Sequence, residues 1–182
     1  MPNVWFSSDP HLGHANILTF KREDGSPTRV FKDIDHHDEY LIERHNSVIQ
    51  PQDKWYCLGD VTMNHKKFLS KIERFNGHKR LVLGNHDAAS SKEYLKYFEE
   101  LYSIRVLDHI AFTHIPIHPE SLGRFTANVH GHIHHQESPK GLYFKGNKEA
   151  FQQRYINVSM EALYDYTPVS LEEIKQRVRK WQ

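Results

Sequence analysis

Five times along this chain, a short apolar run rich in β-branched and aromatic residues ends in a cluster of Asp, Asn or His. Short runs of this kind predict buried strands. Open α/β sheets bind ligands at the carboxyl ends of their strands, so the clusters are expected to meet in one cleft and form a metal site, with two ions expected. The polar residues are Asp9, His11, Asp60, Asn85, His86, Asp87, His114, His132 and His134.

The residue types and their spacing point to metal coordination. Asp9 and His11 are separated by one residue, and so are His132 and His134. In an extended segment alternate residues point the same way, so each pair can present two donors to one region. Mixed oxygen and nitrogen donors suit borderline first-row metals. Asp60 is a candidate for a carboxylate shared by two ions, an arrangement typical of phosphoryl-transfer sites.

Composition narrows the alternatives. A chain of 182 residues with 38% hydrophobic and 12% aromatic residues is expected to form a single globular domain over residues 1–182. The net charge is +1 and no basic face is visible, so stable binding of duplex nucleic acid is not expected. The 15 histidines are unusual and scattered, which favours metal chemistry over a tag.

Further sequence features bear on the cellular location of the protein. No apolar stretch approaches the roughly 20 residues of a membrane span, and residues 1–8 lack the layout of a signal peptide. The lone cysteine, Cys57, leaves no intrachain disulfide. A cytoplasmic protein is therefore expected.

The order of elements predicts an α/β architecture. Strands and helices alternate in the first half, and strands follow one another in the second, which favours a parallel-rich sheet joined to a more antiparallel one. Helices are expected from an Asp35 cap to about residue 49, over 64–75 and 90–101, and from residue 171, where Ser170 and Glu173 have capping-box spacing. A hairpin-like region is expected around 138–148.

The ordered motifs resemble those of a known family, the calcineurin-like metallophosphoesterases. The matching motifs are Asp9-x-His11, Gly59-Asp60, Gly84-Asn85-His86-Asp87, His114 and Gly131-His132-x-His134. The resemblance spans nearly the whole chain and is closest to small single-domain bacterial and phage members, through residues 8–14, 114–116, 157–158 and 168–170. It implies a four-layer αββα sandwich of two mixed β-sheets flanked by helices.

The resemblance also implies roles for individual residues. Asp9, His11 and His134 would hold one metal, and Asp60 would bridge to a second. That second metal would be held by Asn85, His114 and His132. His86 would be the catalytic histidine, with Asp87 orienting it, and a hydroxide bridging the metals would attack phosphorus. The cofactor is expected to be two divalent ions, Mn²⁺ in vitro, with Fe, Ni, Zn and Co as alternatives.

The expected activity is hydrolysis of a small phosphodiester, with a cyclic nucleotide or nucleotide-like ester as an example by analogy. The first alternative is a phosphomonoesterase or protein phosphatase with the same metals. Those enzymes carry an additional arginine near the Gly-Asn-His segment, whereas residues 88–92 offer only Lys92. The second alternative, a non-catalytic metal-binding scaffold, is disfavoured because every ligand and His86 are present. The physiological substrate, native metal and oligomeric state stay open.

Several residues near the motifs have weaker assignments. His14 and Arg22 are candidates for contact with the substrate phosphate, although His14 is equally suited to cap the short helix that follows it. Lys21, Arg22, Arg29 and Lys32 form a basic cluster, interpreted as a solvated loop, with a phosphate clamp as the alternative. His130 is expected to lie behind the ligands. Tyr143, Phe144, Lys145 and Lys148 are candidates for stacking on a base.

Overall fold

The computed structural model describes residues 2–136 and 153–180, so the predicted hairpin at 138–148, with Tyr143, Phe144, Lys145 and Lys148, lies outside the described residues. The strands of the first sheet are Val4–Ser7 (β1), Lys54–Cys57 (β2), His78–Val82 (β3), Glu100–Tyr102 (β4) and Val169–Ser170 (β9). The strands of the second are Arg105–Leu107 (β5), Ile110–Phe112 (β6), Ala127–His130 (β7) and Tyr155–Asn157 (β8).

Both sheets are mixed. In the first, ordered β4-β3-β2-β1-β9, the first four strands are parallel and β9 is antiparallel to β1. In the second, ordered β5-β6-β7-β8, β5 is antiparallel to β6 and the other pairs are parallel. The predicted α/β class with two mixed sheets and helices is therefore confirmed.

The α-helices among the described residues are Ile34–Val48 (α1), His65–Phe68 (α2), Ser91–Tyr94 (α3) and Leu171–Arg179 (α4). The predicted cap of α1 is corrected by two residues, because the Asp33 carboxylate accepts the hydrogen bond from the His36 amide. The capping box of α4, formed by Ser170 and Glu173, is confirmed. Short 3₁₀ helices lie at Ala15–Thr19, Leu69–Arg74, Pro119–Leu122, Met160–Ala162 and Tyr164–Tyr166.

The helix predicted over residues 90–101 is wrong beyond Tyr94. The apolar repeat that suggested it is real, since Tyr94 and Phe98 are both buried. However, residues 100–102 pair with β3 as a parallel edge strand. Tertiary pairing therefore overrides the local helical pattern, which is a common outcome for a weakly specified segment.

The core lies on both faces of the first sheet. Along β2, Trp55 and Cys57 face a cluster that contains Leu41 of α1, whereas Tyr56 faces the second sheet. Between the sheets the rings of Phe6 and Phe112 are stacked, with centroids 4.1 Å apart. None of the helices in the described residues has the length and apolarity needed to cross a membrane.

Candidate metal centre

Two groups of three side chains lie just beyond the carboxyl ends of the strands. Asp9, His11 and His134 form the first triad, and Asp60, His114 and His132 form the second. Within each triad one ligand atom per residue lies within 4.8 Å of the others. Each triad combines residues that follow strands of the first sheet with residues that follow strands of the second. Both triads can hold a metal ion.

The Asp60 carboxylate lies between the triads. Its Oδ1 accepts a hydrogen bond of 2.9 Å from the backbone N–H of His86. Its Oδ2 lies 3.4 Å from His114 Nε2 in the second triad and 3.8 Å from His11 Nε2 in the first. Since Oδ1 is already engaged, a single oxygen of Asp60 faces both groups of ligands.

The loops that carry these ligands have unusual backbone conformations. Positive φ angles occur at Asp9 (60°), His11 (48°), Asp60 (55°), His132 (70°) and His134 (50°). Residues with a Cβ pay a steric cost in this left-handed region, so it is rarely occupied unless the surroundings impose it. Backbone strain of this kind concentrates at functional sites. Five residues of the two triads therefore adopt left-handed backbone conformations.

The first triad contains buried polar atoms without hydrogen-bond partners. Asp9 and His11 are buried, and among the described residues Asp9 Oδ1 and both ring nitrogens of His11 have no hydrogen-bond partner. Buried polar atoms are normally satisfied, so such atoms call for a missing partner. Burial, together with the charge of Arg29, lowers the pKa of His11 to about 2, so its imidazole is neutral and suited to bind a cation.

In the second triad, His114 is fixed by a backbone carbonyl. Its Nδ1 lies 2.7 Å from the carbonyl oxygen of Leu58, while its Nε2 lies 2.9 Å from Asn85 Oδ1. Burial alone would lower the pKa of His114, but the hydrogen bond and charge of Asp60 raise it above its usual value. Asn85, whose assignment as a ligand stays a prediction, is thus brought to the second triad.

His86 lies at the open side of the site, and 43% of its side chain is exposed. Its Nε2 is 4.0 Å from Asp60 Oδ2. Its ring centroid is 6.1 Å from that of His11. The His86 side chain therefore borders the triads and stays accessible to a ligand.

The expected contact between Asp87 and the His86 ring is not formed. Asp87 Oδ2 accepts hydrogen bonds from the amides of Asp60 and Gly84, and its Oδ1 accepts one from Val61. Burial raises the pKa of Asp87, against the effect of these hydrogen bonds. The carboxylate cannot orient the imidazole because it joins the loops after β2 and β3. Asp87 acts on the site by placing Asp60.

Glu161 and Arg29 belong to the site, and the sequence analysis missed both roles. Glu161 Oε1 lies 3.0 Å from His134 Nδ1 and 2.8 Å from Arg29 Nε. Both side chains are buried, so the interpretation of Arg29 as part of a solvated loop is wrong. A signal for Glu161 existed, since it follows a strand as the other polar clusters do.

Arg29 holds the first loop from behind. Its guanidinium donates hydrogen bonds of 2.6 Å to the carbonyl oxygen of Asp9 and 3.0 Å to that of Pro10. It also lies 2.8 Å from His37 Nε2, and His37 Nδ1 lies 2.8 Å from Asp38 Oδ1. A buried polar chain thus runs from His134 into α1. With every hydrogen bond to the protein, Arg29 is not a phosphate clamp.

A cavity adjoins both triads. Its volume is about 230 Å³, and its lining comprises Phe20, Lys21, Thr28, His132, Ile133, His134, His135, Gln136 and Glu161. The half-exposed ring of Phe20 lies 6.2 Å from that of His14. This cavity offers an apolar ring and a lysine beside His132 and His134 of the triads.

The predictions for His14, Arg22 and His130 have different outcomes. The His14 ring lies 5.9 Å from that of His11 and forms no cap on the 3₁₀ helix after it, so the capping alternative is wrong. Arg22 forms a turn with Ser26 and makes no contact with either triad within the described residues, and its substrate role stays a prediction. His130 is buried and its Nδ1 lies 2.9 Å from the Gly131 carbonyl, outside both triads.

Gly131 lies where the loop after β7 closely approaches the loop after β1. A Cβ at this position would overlap Ser8 Oγ and Asp9 Oδ2. We expect Gly131→Ala to lower the free energy of unfolding by about 1–3 kcal/mol, the usual cost of overpacking, and to weaken metal binding by displacing Asp9. Thermal unfolding and Mn²⁺ titration measure the two effects. Gly123→Ala is the matched control, because its Cβ would meet only the Glu120 carbonyl at 3.7 Å. Equal behaviour of the two variants would contradict the expectation.

Known proteins are similar to this chain over nearly its whole length. No protein-family model matches. The chain is 28% identical to the uncharacterized protein MJ1445 of Methanocaldococcus jannaschii over 99% of its length and 93% of that protein. It is 34% identical to the Gene 66 protein of Mycobacterium phage L5 over 48% of the chain and 41% of the phage protein.

The fold also matches a crystal structure. The protein of unknown function AQ665 from Aquifex aeolicus has a TM-score of 0.70 and 26% sequence identity, covering 97% of this chain and 99% of that one. None of these relatives is described by an activity. The chain is thus homologous to an archaeal, a phage and a bacterial protein, and its two buried Asp/His groups are consistent with a metallophosphoesterase.

Proposed function

We propose that this protein is a dinuclear metal-dependent phosphoesterase that hydrolyses small phosphodiesters. The observation that carries the proposal is the position of Asp60 Oδ2, within 4 Å of a ligand histidine from each triad. One carboxylate oxygen facing two sets of oxygen and nitrogen donors is an arrangement that suits two neighbouring cations. The resemblance of the ordered motifs to the calcineurin-like metallophosphoesterases supports the same activity.

The residues present fit the proposed ions. Asp9, His11 and His134 would hold the first, with Asp60 shared. His114, His132 and Asn85 would hold the second. The unpartnered atoms Asp9 Oδ1 and His11 Nε2 would gain partners. When bound, the ions would neutralise charge on the phosphate and activate water near neutral pH. Mn²⁺ is the expected ion in vitro, with Fe, Ni, Zn and Co as alternatives.

The surrounding side chains would act on the ester. His86 is the proposed general acid, because its exposed Nε2 stands 4.0 Å from Asp60 Oδ2, at the edge of the ligands. His14 would contact the phosphate, since its ring lies beside that of His11. The burial of His14, with the charges of His86 and Arg29, lowers its pKa. His14 would then donate a neutral N–H without adding charge.

The charges near the triads favour a diester over a monoester. A monoester carries more negative charge than a diester, and proteins commonly bind that charge with a bidentate arginine. Arg29 acts electrostatically on both His11 and His134, but its hydrogen bonds go to Glu161 and to backbone carbonyls. It is therefore unavailable to the substrate. Stable duplex nucleic acid is not a proposed partner, given the net charge of +1.

Parallel assays of bis-p-nitrophenyl phosphate and p-nitrophenyl phosphate test the proposal. We expect the Mn²⁺-loaded protein to hydrolyse the diester with the larger kcat/KM, and elemental analysis to find two divalent ions per chain. Chelation should abolish turnover, and added Mn²⁺ should restore it. The chelated protein, checked by circular dichroism, is the control for folding.

Each other result selects an alternative. Turnover of the monoester alone would replace the diester preference with phosphomonoesterase or protein phosphatase activity. Two bound ions without hydrolysis of any mono-, di- or cyclic phosphate would leave a metal-binding scaffold. A protein that takes up no divalent ion would overturn the metal centre itself.

A further inference from the structure

The buried ion pair of Arg29 and Glu161 contacts two members of the same triad. Glu161 Oε1 lies 3.0 Å from His134 Nδ1, and Arg29 Nη2 donates a 2.6 Å hydrogen bond to the carbonyl oxygen of Asp9. The two side chains are joined by the 2.8 Å contact between Arg29 Nε and Glu161 Oε1. Arg29 follows the first triad motif by 20 residues, and Glu161 precedes β9, so the chain folds back to form this pair.

Chemically, the Glu161 contact decides which nitrogen of His134 is free. A carboxylate accepts a hydrogen bond only from a protonated ring nitrogen, so the proton of His134 belongs on Nδ1. Its Nε2 then carries the lone pair, as a metal ligand requires. A carboxylate behind a ligand imidazole also fixes the ring orientation and raises its basicity.

The second triad has no equivalent pair among the described residues. The Nδ1 of His114 lies against the neutral carbonyl of Leu58, and the ring of His132 forms no hydrogen bond within that part of the chain. Consequently, the groups that face the ligand histidines differ in charge between the two triads. A buried carboxylate paired with a guanidinium faces His134, whereas a neutral backbone carbonyl faces His114, and the Asp87 carboxylate reaches Asp60 only through backbone amides.

We propose that Glu161 is a positioning residue. Together with Arg29, it strengthens metal binding by Asp9, His11 and His134 and leaves metal binding by the second triad unchanged. The inference rests on the proposed metal centre and adds an inequality between its two ions. The ion in the first triad binds more tightly because the Glu161 carboxylate fixes the His134 ring and raises its basicity, whereas His114 and Asp60 are held by neutral backbone groups.

Mn²⁺ titration by calorimetry, with elemental analysis after gel filtration, tests this inference. In Glu161→Ala we expect one ion to bind as in the unaltered protein and the other about 10- to 100-fold more weakly, the usual effect of losing such a partner. Glu161→Gln should recover part of the affinity, because the amide oxygen can still accept the hydrogen bond from His134.

Two added substitutions identify the weakened ion. Combining Glu161→Ala with His132→Ala damages both triads, so we expect no tightly bound ion. Combining it with His11→Ala damages the first triad twice, so one ion should stay tightly bound. The opposite pattern would assign Glu161 to the second triad and overturn the inference.

A double replacement separates positioning from simple stabilisation. Replacing a buried ion pair by apolar residues is often neutral or stabilising, whereas removing one partner leaves a buried charge uncompensated. Arg29→Met with Glu161→Leu should therefore recover part of the melting temperature lost in Glu161→Ala, the remainder being due to the Asp9 and Pro10 carbonyls that lose their donor, and still bind one ion weakly. Recovery of both stability and metal affinity would reduce the pair to a structural role.

Destabilisation alone needs its own control. Val178→Ala removes a buried side chain on α4 and should lower the melting temperature without changing the number of bound ions. If the unaltered protein binds no divalent ion, the proposed metal centre fails. If it binds two and Glu161→Ala binds both with unchanged affinity, only the present inference fails.

Discussion

Asp60→Asn is expected to lose both hydrolysis and its full complement of metal. The variant keeps the size of the side chain but removes its negative charge and turns one acceptor into a donor. If the amide nitrogen takes the Oδ1 position it faces the His86 N–H, and if it takes the Oδ2 position it faces His11 and His114. The first orientation places two N–H groups against each other. The second would place the N–H groups of the amide against the proposed cations.

The expected loss is large because one oxygen serves both triads. Metal ions in such sites contribute several kcal/mol to transition-state stabilisation, so kcat/KM should fall about a thousandfold or more. Elemental analysis should find at most one ion per chain. The control is Asp53→Asn, which alters another buried aspartate, one that accepts hydrogen bonds from the amides of Asn3 and Gln50. Two tightly bound ions in Asp60→Asn would refute the shared-ligand geometry.

His86→Ala is expected to keep both ions and lose most of the activity. The hydrogen bond of residue 86 to Asp60 is made by the backbone N–H, which alanine retains. The exposed imidazole is lost, and removal of a general acid costs about 10²- to 10⁴-fold in rate. Metal content and kcat should therefore separate in this variant.

The leaving group gives this variant a specific signature. An alkoxide leaving group needs a proton far more than p-nitrophenolate does, so the loss in His86→Ala should be greater for an alkyl ester. His78→Ala is the matched control, because it removes an exposed histidine paired with Glu99 at the start of β3. Hydrolysis by His86→Ala at the rate of the unaltered protein would show that His86 has no catalytic role.

Much of the centre was predictable because its signal is local. Each polar cluster stands at the end of an apolar run, and parallel strands bring those ends to one edge of a sheet. The positions of these clusters predicted that the polar side chains would meet in one cleft, and the resemblance to the calcineurin-like metallophosphoesterases implied the two sets that the structure brings together, one around Asp9, His11 and His134 and one around His114 and His132, with Asp60 between them. The sheet class followed from the same runs, since Trp55, Tyr56 and Cys57 of β2 are all buried, and a short continuous apolar run predicts a buried strand without knowledge of distant contacts.

What sequence reasoning missed depends on distant partners. Arg29 reads as part of a basic loop, and only the fold shows that Glu161, 132 positions away, neutralises it in the interior. Asp87 follows His86 directly, yet its carboxylate turns to amides of neighbouring loops. The helix predicted beyond Tyr94 failed for the same reason, because pairing with β3 decides the conformation there.

Because each triad takes its ligands from both sheets, each cation would act as a crosslink between two layers that otherwise adhere through apolar side chains such as Phe6 and Phe112. Clips that close long loops restrict the unfolded chain strongly, and the first triad would join residues 9 and 134. Bound metal would thus stabilise the packing of the two layers at this end of the molecule. Loss of metal would increase local unfolding there, in addition to abolishing the proposed activity.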